Sequence, residues 1–109
     1  MTTPANALPA GTRLDEFVIE RILGGGGFSI VYLAVSAKTG RSVVIKEYMP
    51  VTIATRNDSM SVIPLAEQHT ERFNHGRRLF FQEASTLTTL KHPNIVNVIN
   101  FFRANGTVY

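Results

Sequence analysis

The apolar residues of this chain form short β-branched and aromatic runs in its first half and recur at helical spacing in its second half. Runs of the first kind are typical of strands. They predict strands over residues 17–23, 30–35 and 41–47. Four consecutive glycines join the first two strands, and a Lys-Thr-Gly sequence makes the turn into the third. We therefore expect an antiparallel unit whose first hairpin has a flexible glycine turn.

The chain loses clear periodicity between the third strand and the next long apolar pattern. Turn-forming residues at 56–58 lie between two short apolar runs, which predicts a small β-hairpin or an ordered loop. Leu65, His69 and Phe73 then recur at helical spacing, which predicts a short helix over residues 65–74.

The main helix is predicted over residues 76–90, where one arc carries most of the apolar side chains. The members of that arc are Leu79, Phe80, Ala84, Leu87 and Leu90. Glu83 falls inside the arc, and burying an unpaired carboxylate in an apolar stripe is costly. We expect Lys46, at an inward position of the third strand, to offset that cost as an ion-pair partner. The alternative is that Glu83 lies at the edge of the stripe and extends into solvent.

A fourth strand is predicted over residues 96–103, and Asn105 with Gly106 predicts a positive-φ hairpin turn into a fifth strand from residue 107. The expected fold is α+β. It consists of a twisted five-stranded antiparallel sheet, one main helix on one face, and an insert between the third strand and that helix. Residues 1–11, which two prolines interrupt, are expected to form a disordered leader.

Composition and charge exclude several classes of function. The eleven basic residues are scattered and give a net charge of only +3, which argues against a nucleic-acid surface. The chain has no cysteine, and its three histidines lack the spacing of metal ligands. No segment approaches the roughly 20 apolar residues of a transmembrane helix. We therefore expect one small cytoplasmic domain without a membrane segment.

The glycine hairpin is the main candidate for chemistry. It can lay its backbone N–H groups over a polyphosphate, because glycine has no Cβ to block the approach. A glycine-rich loop before a helix would instead place phosphate at the helix N-terminus, but here a strand follows. Lys46 on the third strand would then supply a positive charge.

These motifs resemble the protein kinases, whose signature combines a glycine-rich loop with a strand lysine. The residues that match G-x-G-x-x-G-x-V are Gly24, Gly26, Phe28 and Val31. Ser29 occupies the position of the third glycine. Residues 43–46 match V-A-I-K, with Val44 where alanine is usual, and H-P-N-I-V at 92–96 is similar to the connection after the kinase helix.

The resemblance implies an ATP site and a requirement for Mg²⁺. The residues implied to contact the nucleotide are Leu23, Gly24, Gly25, Gly26, Gly27, Phe28, Ser29, Val31, Val44 and Lys46. Leu23 and Val31 are implied to sandwich the adenine ring, although both could be ordinary core residues. Lys46 is implied to contact the α and β phosphates, and Glu83 to orient Lys46, so these two are the expected catalytic residues.

The resemblance covers residues 12–109 and only the smaller, N-terminal lobe of a kinase. The H-R-D and D-F-G motifs, which carry the catalytic base and a metal-binding aspartate, do not occur in the sequence. We therefore expect an inactive fragment of a serine/threonine kinase whose parent phosphorylates proteins, with the magnesium ligands in a missing lobe. The 37 positions from Lys46 to Glu83, together with I-K-E-Y-M-P, are similar to a bacterial group of serine/threonine kinases.

Three alternatives remain open at this stage. The parent could be a tyrosine kinase, or a pseudokinase that keeps the lobe as an interaction module, which Ser29 and Val44 favour. The chain could also be a small β-rich scaffold with a mobile glycine turn. Lys46 and Glu83 at family positions argue against both the pseudokinase and the scaffold. We further expect the chain to self-associate as a dimer through apolar residues that a second lobe would cover. Those residues are Leu23, Val31, Leu87, Val98 and Val108.

Overall fold

The main sheet has four antiparallel strands in the order β1-β2-β3-β4, in a computed structural model that describes residues 6–90, 93–94 and 98–109. The strands are Arg13–Leu14 (β1), Phe17–Gly25 (β2), Ser29–Ser36 (β3) and Ser42–Tyr48 (β4). The register of β2 shifts between Ile19 and Arg21 and again between Ile22 and Gly24. Such irregularities increase the local twist, so the sheet curls. The three predicted strands of the first half are confirmed.

Two short hairpins complete the β structure of the described residues. The first joins Ala54–Arg56 (β5) to Val62–Pro64 (β6), which confirms the hairpin predicted within the insert. The second joins Arg103–Ala104 (β7) to Thr107–Val108 (β8) through Asn105 and Gly106, whose φ values of 52° and 70° confirm the predicted turn.

The prediction of five strands in one sheet needs correction. Residues 98–102 form no strand, and residues 95–97 lie outside the described part of the chain. The predicted fourth and fifth strands therefore contribute only the separate β7–β8 ladder. The order of elements and the single main helix agree with the expected α+β class.

One helix, Thr70–Thr89 (α1), follows a 3-10 turn at Glu67–His69. The short helix predicted over 65–74 and the main helix predicted over 76–90 are thus one continuous element. Its buried face also differs from the predicted arc, because Leu79 and Leu90 are exposed while Phe73 is buried and Phe80 packs against the core. Tyr48 contacts both phenylalanines, and its hydroxyl donates to the Phe73 carbonyl at 3.0 Å.

The sheet has one covered face and one open face. Alternate residues point to opposite faces of a strand, and Ile30, Tyr32 and Ala34 are buried while Val31 and Leu33 are less so. Part of the cover is residues 6–11, the described portion of the segment that we expected to be disordered. Leu8 is fully buried, and the Gly11 N–H donates to the Ile19 carbonyl. Apolar burial of Leu8 therefore orders this part of the leader.

Candidate functional site

A cavity of about 680 Å³ lies between β4, α1 and the segment before β7, and Val43 and Ile45 from the covered face of β4 line it together with Phe17 and Tyr109. Val31 from β3 and Val44 and Lys46 from β4 line it, because the register places Val31 opposite Lys46 and Leu33 opposite Val44 on the same face. Phe80, Glu83, Ala84 and Leu87 line it from α1, and Val98, Ile99, Asn100, Phe101 and Phe102 come from the segment before β7. Four of the residues predicted from the sequence are thus brought together: Val31, Val44, Lys46 and Glu83.

Lys46 holds its ammonium group between two aromatic rings. Its Nζ lies 5.3 Å from the centroid of Phe28 in the glycine loop and 5.8 Å from that of Phe80 in α1. A cation over an aromatic face within about 6 Å is attracted by the ring quadrupole. The lysine therefore links the glycine loop to the helix across the mouth of the cavity.

The predicted ion pair between Lys46 and Glu83 is not formed. Within the described chain, the one ion pair shorter than 4.0 Å joins Arg56 to Glu47. Glu83 lines the cavity but is exposed, so its carboxylate remains hydrated and no desolvation cost requires a cation beside it. The assumption that Glu83 is buried in the apolar stripe was wrong.

The carbonyl groups of the glycine hairpin are hydrogen-bonded within the described part of the chain, whereas two of its N–H groups are not. The Gly26 N–H donates to the Ser29 carbonyl, and the carbonyls of Gly27 and Phe28 accept from Val51 and Met49. The N–H groups of Gly27 and Phe28 have no acceptor among the described residues. Donors in this arrangement remain available to an anion.

Neither packing nor backbone strain explains the glycines. A Cβ on Gly24, Gly26 or Gly27 would meet no atom within 4 Å, and none of these residues has a positive φ. The absence of side chains leaves a bare backbone surface that a ligand outside the chain can approach closely. Phe28, 57% exposed, is the large side chain at the tip of this surface.

The remaining predicted residues lie beside the cavity rather than in its wall. Leu23 is partly buried and is not among the lining residues, so of the predicted adenine pair only Val31 faces the cavity. Ser29 is buried under the hairpin. The ring of Phe28 contacts Lys46, which lines the cavity, but Phe28 itself is not a lining residue.

Sequence analysis missed a buried cluster immediately behind Lys46. Glu47 is fully buried and accepts hydrogen bonds from Tyr32 at 2.8 Å, from Arg56 at 2.6 Å and from Tyr109 at 2.5 Å. We call these four residues the Glu47 cluster. Burial, and then the Glu47 charge, raise the pKa of both tyrosine hydroxyls above their usual value. The available signal was the alternation along β4, which places Glu47 on the same face as Ile45.

The described residues hold no group of three or more His, Cys, Asp or Glu side chains that could bind a metal ion. In the described residues no helix is long and apolar enough to cross a membrane.

Comparison with known proteins shows kinases among the relatives of this chain. It is 27% identical to cyclin-dependent kinase 7 of Dictyostelium discoideum over 96 residues, and 28% identical to serine/threonine-protein kinase PLK4 of Drosophila grimshawi over 99 residues. These alignments cover 88% and 91% of this chain but only 22% and 11% of the two relatives. No family model matches the chain.

The fold also matches a solved structure. The apo form of PpkA-294 is 41% identical and superposes with a TM-score of 0.91, over 95% of this chain and 37% of that one. The match extends over nearly the whole chain, so the arrangement of the sheet and the helix is shared with that structure. The chain is therefore the N-terminal lobe of a protein kinase, related to the serine/threonine kinases.

Proposed function

We propose that this lobe binds ATP and serves a serine/threonine protein kinase. The observation that carries the proposal is that Lys46, which lines the cavity, lies against Phe28 at the tip of the bare glycine hairpin. Free backbone donors and a positive charge are the features that a polyphosphate requires. The apolar residues Val31, Val44 and Leu87 offer a wall for a flat aromatic base.

Each group has a distinct task in this proposal. The N–H groups of Gly27 and Phe28 donate to phosphate oxygens, and Lys46 neutralises the negative charge of the phosphates. Because phosphate attracts the ammonium group more strongly than a ring face does, Lys46 leaves Phe28 when nucleotide enters. Glu83 lines the same cavity. Once the nucleotide is bound, Glu83 orients Lys46, which is the role that the kinase resemblance implies for it.

Transfer of the phosphoryl group requires residues outside these 109. The sequence has no H-R-D or D-F-G motif, and the described residues offer no metal site. We therefore propose that a C-terminal lobe supplies the base and the Mg²⁺ ligands. Mg²⁺ would neutralise developing charge on the phosphates, while this lobe positions the nucleotide. The substrates proposed for the complete enzyme are serine and threonine hydroxyls of proteins.

Nucleotide titration of the 109-residue chain tests the binding step. Calorimetry with ATP should show binding that Lys46→Met weakens by about tenfold to a hundredfold, because a hydrogen bond to a charged group is worth about 1.5–3 kcal/mol. Lys38→Met is the matched control, since Lys38 is an exposed lysine in the β3–β4 turn. An equal effect of the two substitutions, or no binding by the unmodified chain at millimolar ATP, contradicts the proposal.

A second candidate is a lobe that binds partners without catalysis. The observation in its favour is the missing ion pair between Lys46 and Glu83. Phosphotransfer assays on a protein that carries this lobe with a C-terminal lobe distinguish the two functions. Nucleotide binding without transfer to a protein substrate supports the second candidate.

A further inference from the structure

We propose that Glu47 and Arg56 are positioning residues that set the orientation of Lys46 from the opposite face of β4. This goes beyond the proposed nucleotide site, and it rests on that proposal only for the importance of Lys46. The observations that carry it are the burial of Glu47, its three hydrogen bonds, and its place next to Lys46 in the same strand.

The first step is the geometry of β4. Consecutive side chains of a strand point to opposite faces, so Lys46 faces the cavity while Glu47 faces the covered side. A slip of one residue would exchange the two side chains. Within the described residues β4 lies at the edge of its sheet and pairs only with β3, so one ladder holds its register.

The second step is the specificity of the Glu47 cluster. A buried carboxylate is tolerated only where donors meet it, and here Arg56 and two tyrosine hydroxyls converge on it. Lys46 could not replace Glu47 in that setting, because a second cation would then lie beside Arg56. The cluster therefore accepts one register of β4 and rejects the slipped one, which is a well-attested use of buried polar groups.

The third step is what the cluster connects. Arg56 belongs to the insert hairpin and also donates to the carbonyls of Asn6 and Met60. The Tyr32 hydroxyl accepts from the Leu8 N–H, and Tyr109 follows β8. The insert and Tyr109 thus bond directly to Glu47, the residue beside Lys46, and the N-terminal segment is connected to Glu47 through Tyr32 and Arg56. This assigns the insert a role in supporting the cavity.

The experiment observes Lys46 directly and needs no nucleotide. Reductive methylation with ¹³C-formaldehyde labels the three lysines of the chain, and NMR resolves their methyl signals. The Lys46 signal should be displaced upfield by the rings of Phe28 and Phe80. Lys38, in an exposed turn, serves as the reference.

The test variant is the double substitution Glu47→Gln with Arg56→Met, which removes the cluster without leaving a charge buried. We expect the Lys46 signal to lose most of its upfield displacement or to broaden, while the Lys38 signal is unchanged. The matched control is Asn57→Ala, which removes the side-chain acceptor of the Ser59 and Ser61 N–H groups in the turn of the same insert hairpin and leaves the Glu47 cluster in place. A merely structural role predicts a lower Tm in both proteins with an unchanged Lys46 signal.

An unchanged Lys46 signal in a folded double variant overturns the inference. If the double variant does not fold, the Lys46 signal is measured in Tyr32→Phe instead, and an unchanged signal again overturns the inference. This substitution removes one donor to Glu47 and keeps the ion pair with Arg56. Phe28→Leu establishes that the displacement is a ring effect. Failure of the unmodified chain to bind ATP, with its Lys46 signal displaced as expected, would count against the proposed function alone and leave the positioning role standing.

Discussion

At the scale of single residues, the contacts of Lys46 follow from the relative free energies of its possible partners. It lies over Phe28 and Phe80 instead of meeting Glu83, because an exposed carboxylate is already hydrated and gains little from an ion pair. Ring contacts of a partly exposed cation are worth only about 0.5–1 kcal/mol. An incoming phosphate can therefore displace them.

Substitution of Glu83 tests its proposed orienting role. In a protein that contains this lobe and a C-terminal lobe, Glu83→Gln should lower kcat/KM by about tenfold to a hundredfold, as expected for losing a charged hydrogen bond. Glu67→Gln, in the exposed 3-10 turn, is the control and should have little effect. Equal and small effects in a kinase assay would remove Glu83 from the site.

Gly76 packs against Tyr48, so its small size matters for packing. A Cβ at this position would overlap the Tyr48 hydroxyl. Gly76→Ala should therefore lower the free energy of unfolding by about 1–3 kcal/mol, although alanine is the better helix former. In a Tyr48→Phe background the cost should be smaller, because the overlapping hydroxyl is gone. Urea denaturation of the four proteins of this cycle measures the coupling, and strictly additive costs would contradict it.

At the scale of elements, the insert hairpin is joined to the turn between β7 and β8. The Val62 N–H donates to the Asn105 carbonyl at 2.7 Å, and Arg77 of α1 donates to the Gly106 carbonyl at 2.8 Å. The Thr107 hydroxyl donates to the Tyr48 carbonyl at the end of β4. The turn is therefore a meeting point for the helix, the insert and the main sheet.

Two glycines with similar φ values allow the cost of backbone strain in a turn to be measured apart from the cost of packing against the insert. Gly106 (φ 70°) would place a Cβ 2.9 Å from the Val62 carbonyl oxygen, whereas a Cβ on Gly40 (φ 73°) would meet nothing within 4 Å. Gly40→Ala should cost about 1–2 kcal/mol for the left-handed backbone alone. Gly106→Ala should cost about 1–3 kcal/mol more. Chemical denaturation measures the loss of unfolding free energy in each variant. Equal losses would show that the insert shifts to accommodate the new methyl group.

At the scale of the whole molecule, the three tyrosines of the chain report on alkaline stability. Burial raises the pKa of Tyr32, Tyr48 and Tyr109 above the usual value of about 10. The folded state thus favours the neutral hydroxyls, so their contribution is fully present below about pH 10 and is lost as pH rises further. Phenolate absorption should appear together with unfolding. Gradual ionisation of a folded protein near pH 10 would contradict this prediction.

Self-association depends on the apolar surface around the cavity. Val44 is 64% exposed and Ile99 is 68% exposed, whereas Val108, which we expected to be exposed, is buried. Contiguous apolar surface favours association, so light scattering across a dilution series should show dimers at high micromolar concentration. Ile99→Asp should shift the equilibrium toward monomer. The control Leu65→Asp changes an exposed leucine of the insert, and equal effects of the two would place the interface elsewhere.

Much of the fold and part of the site could be predicted because they depend on neighbours in the sequence. Runs of β-branched and aromatic residues predicted β2, β3 and β4, and Lys46 was expected at an inward position of the third strand, where it lines the cavity. Asn105 and Gly106 predicted their turn through a requirement for positive φ. The glycine hairpin could be predicted because four consecutive glycines lie between two strand-forming runs.

The tertiary structure alone decided which polar groups are buried and which partners they meet. Glu47 joins Tyr109, which lies 62 positions away, and Tyr48 packs on Phe73, the buried residue of α1. A pattern along the chain reports which face a side chain shares with its neighbours. It does not report which distant segment covers that face, and the cover determines whether a charge such as Glu47 is buried or one such as Glu83 stays in water.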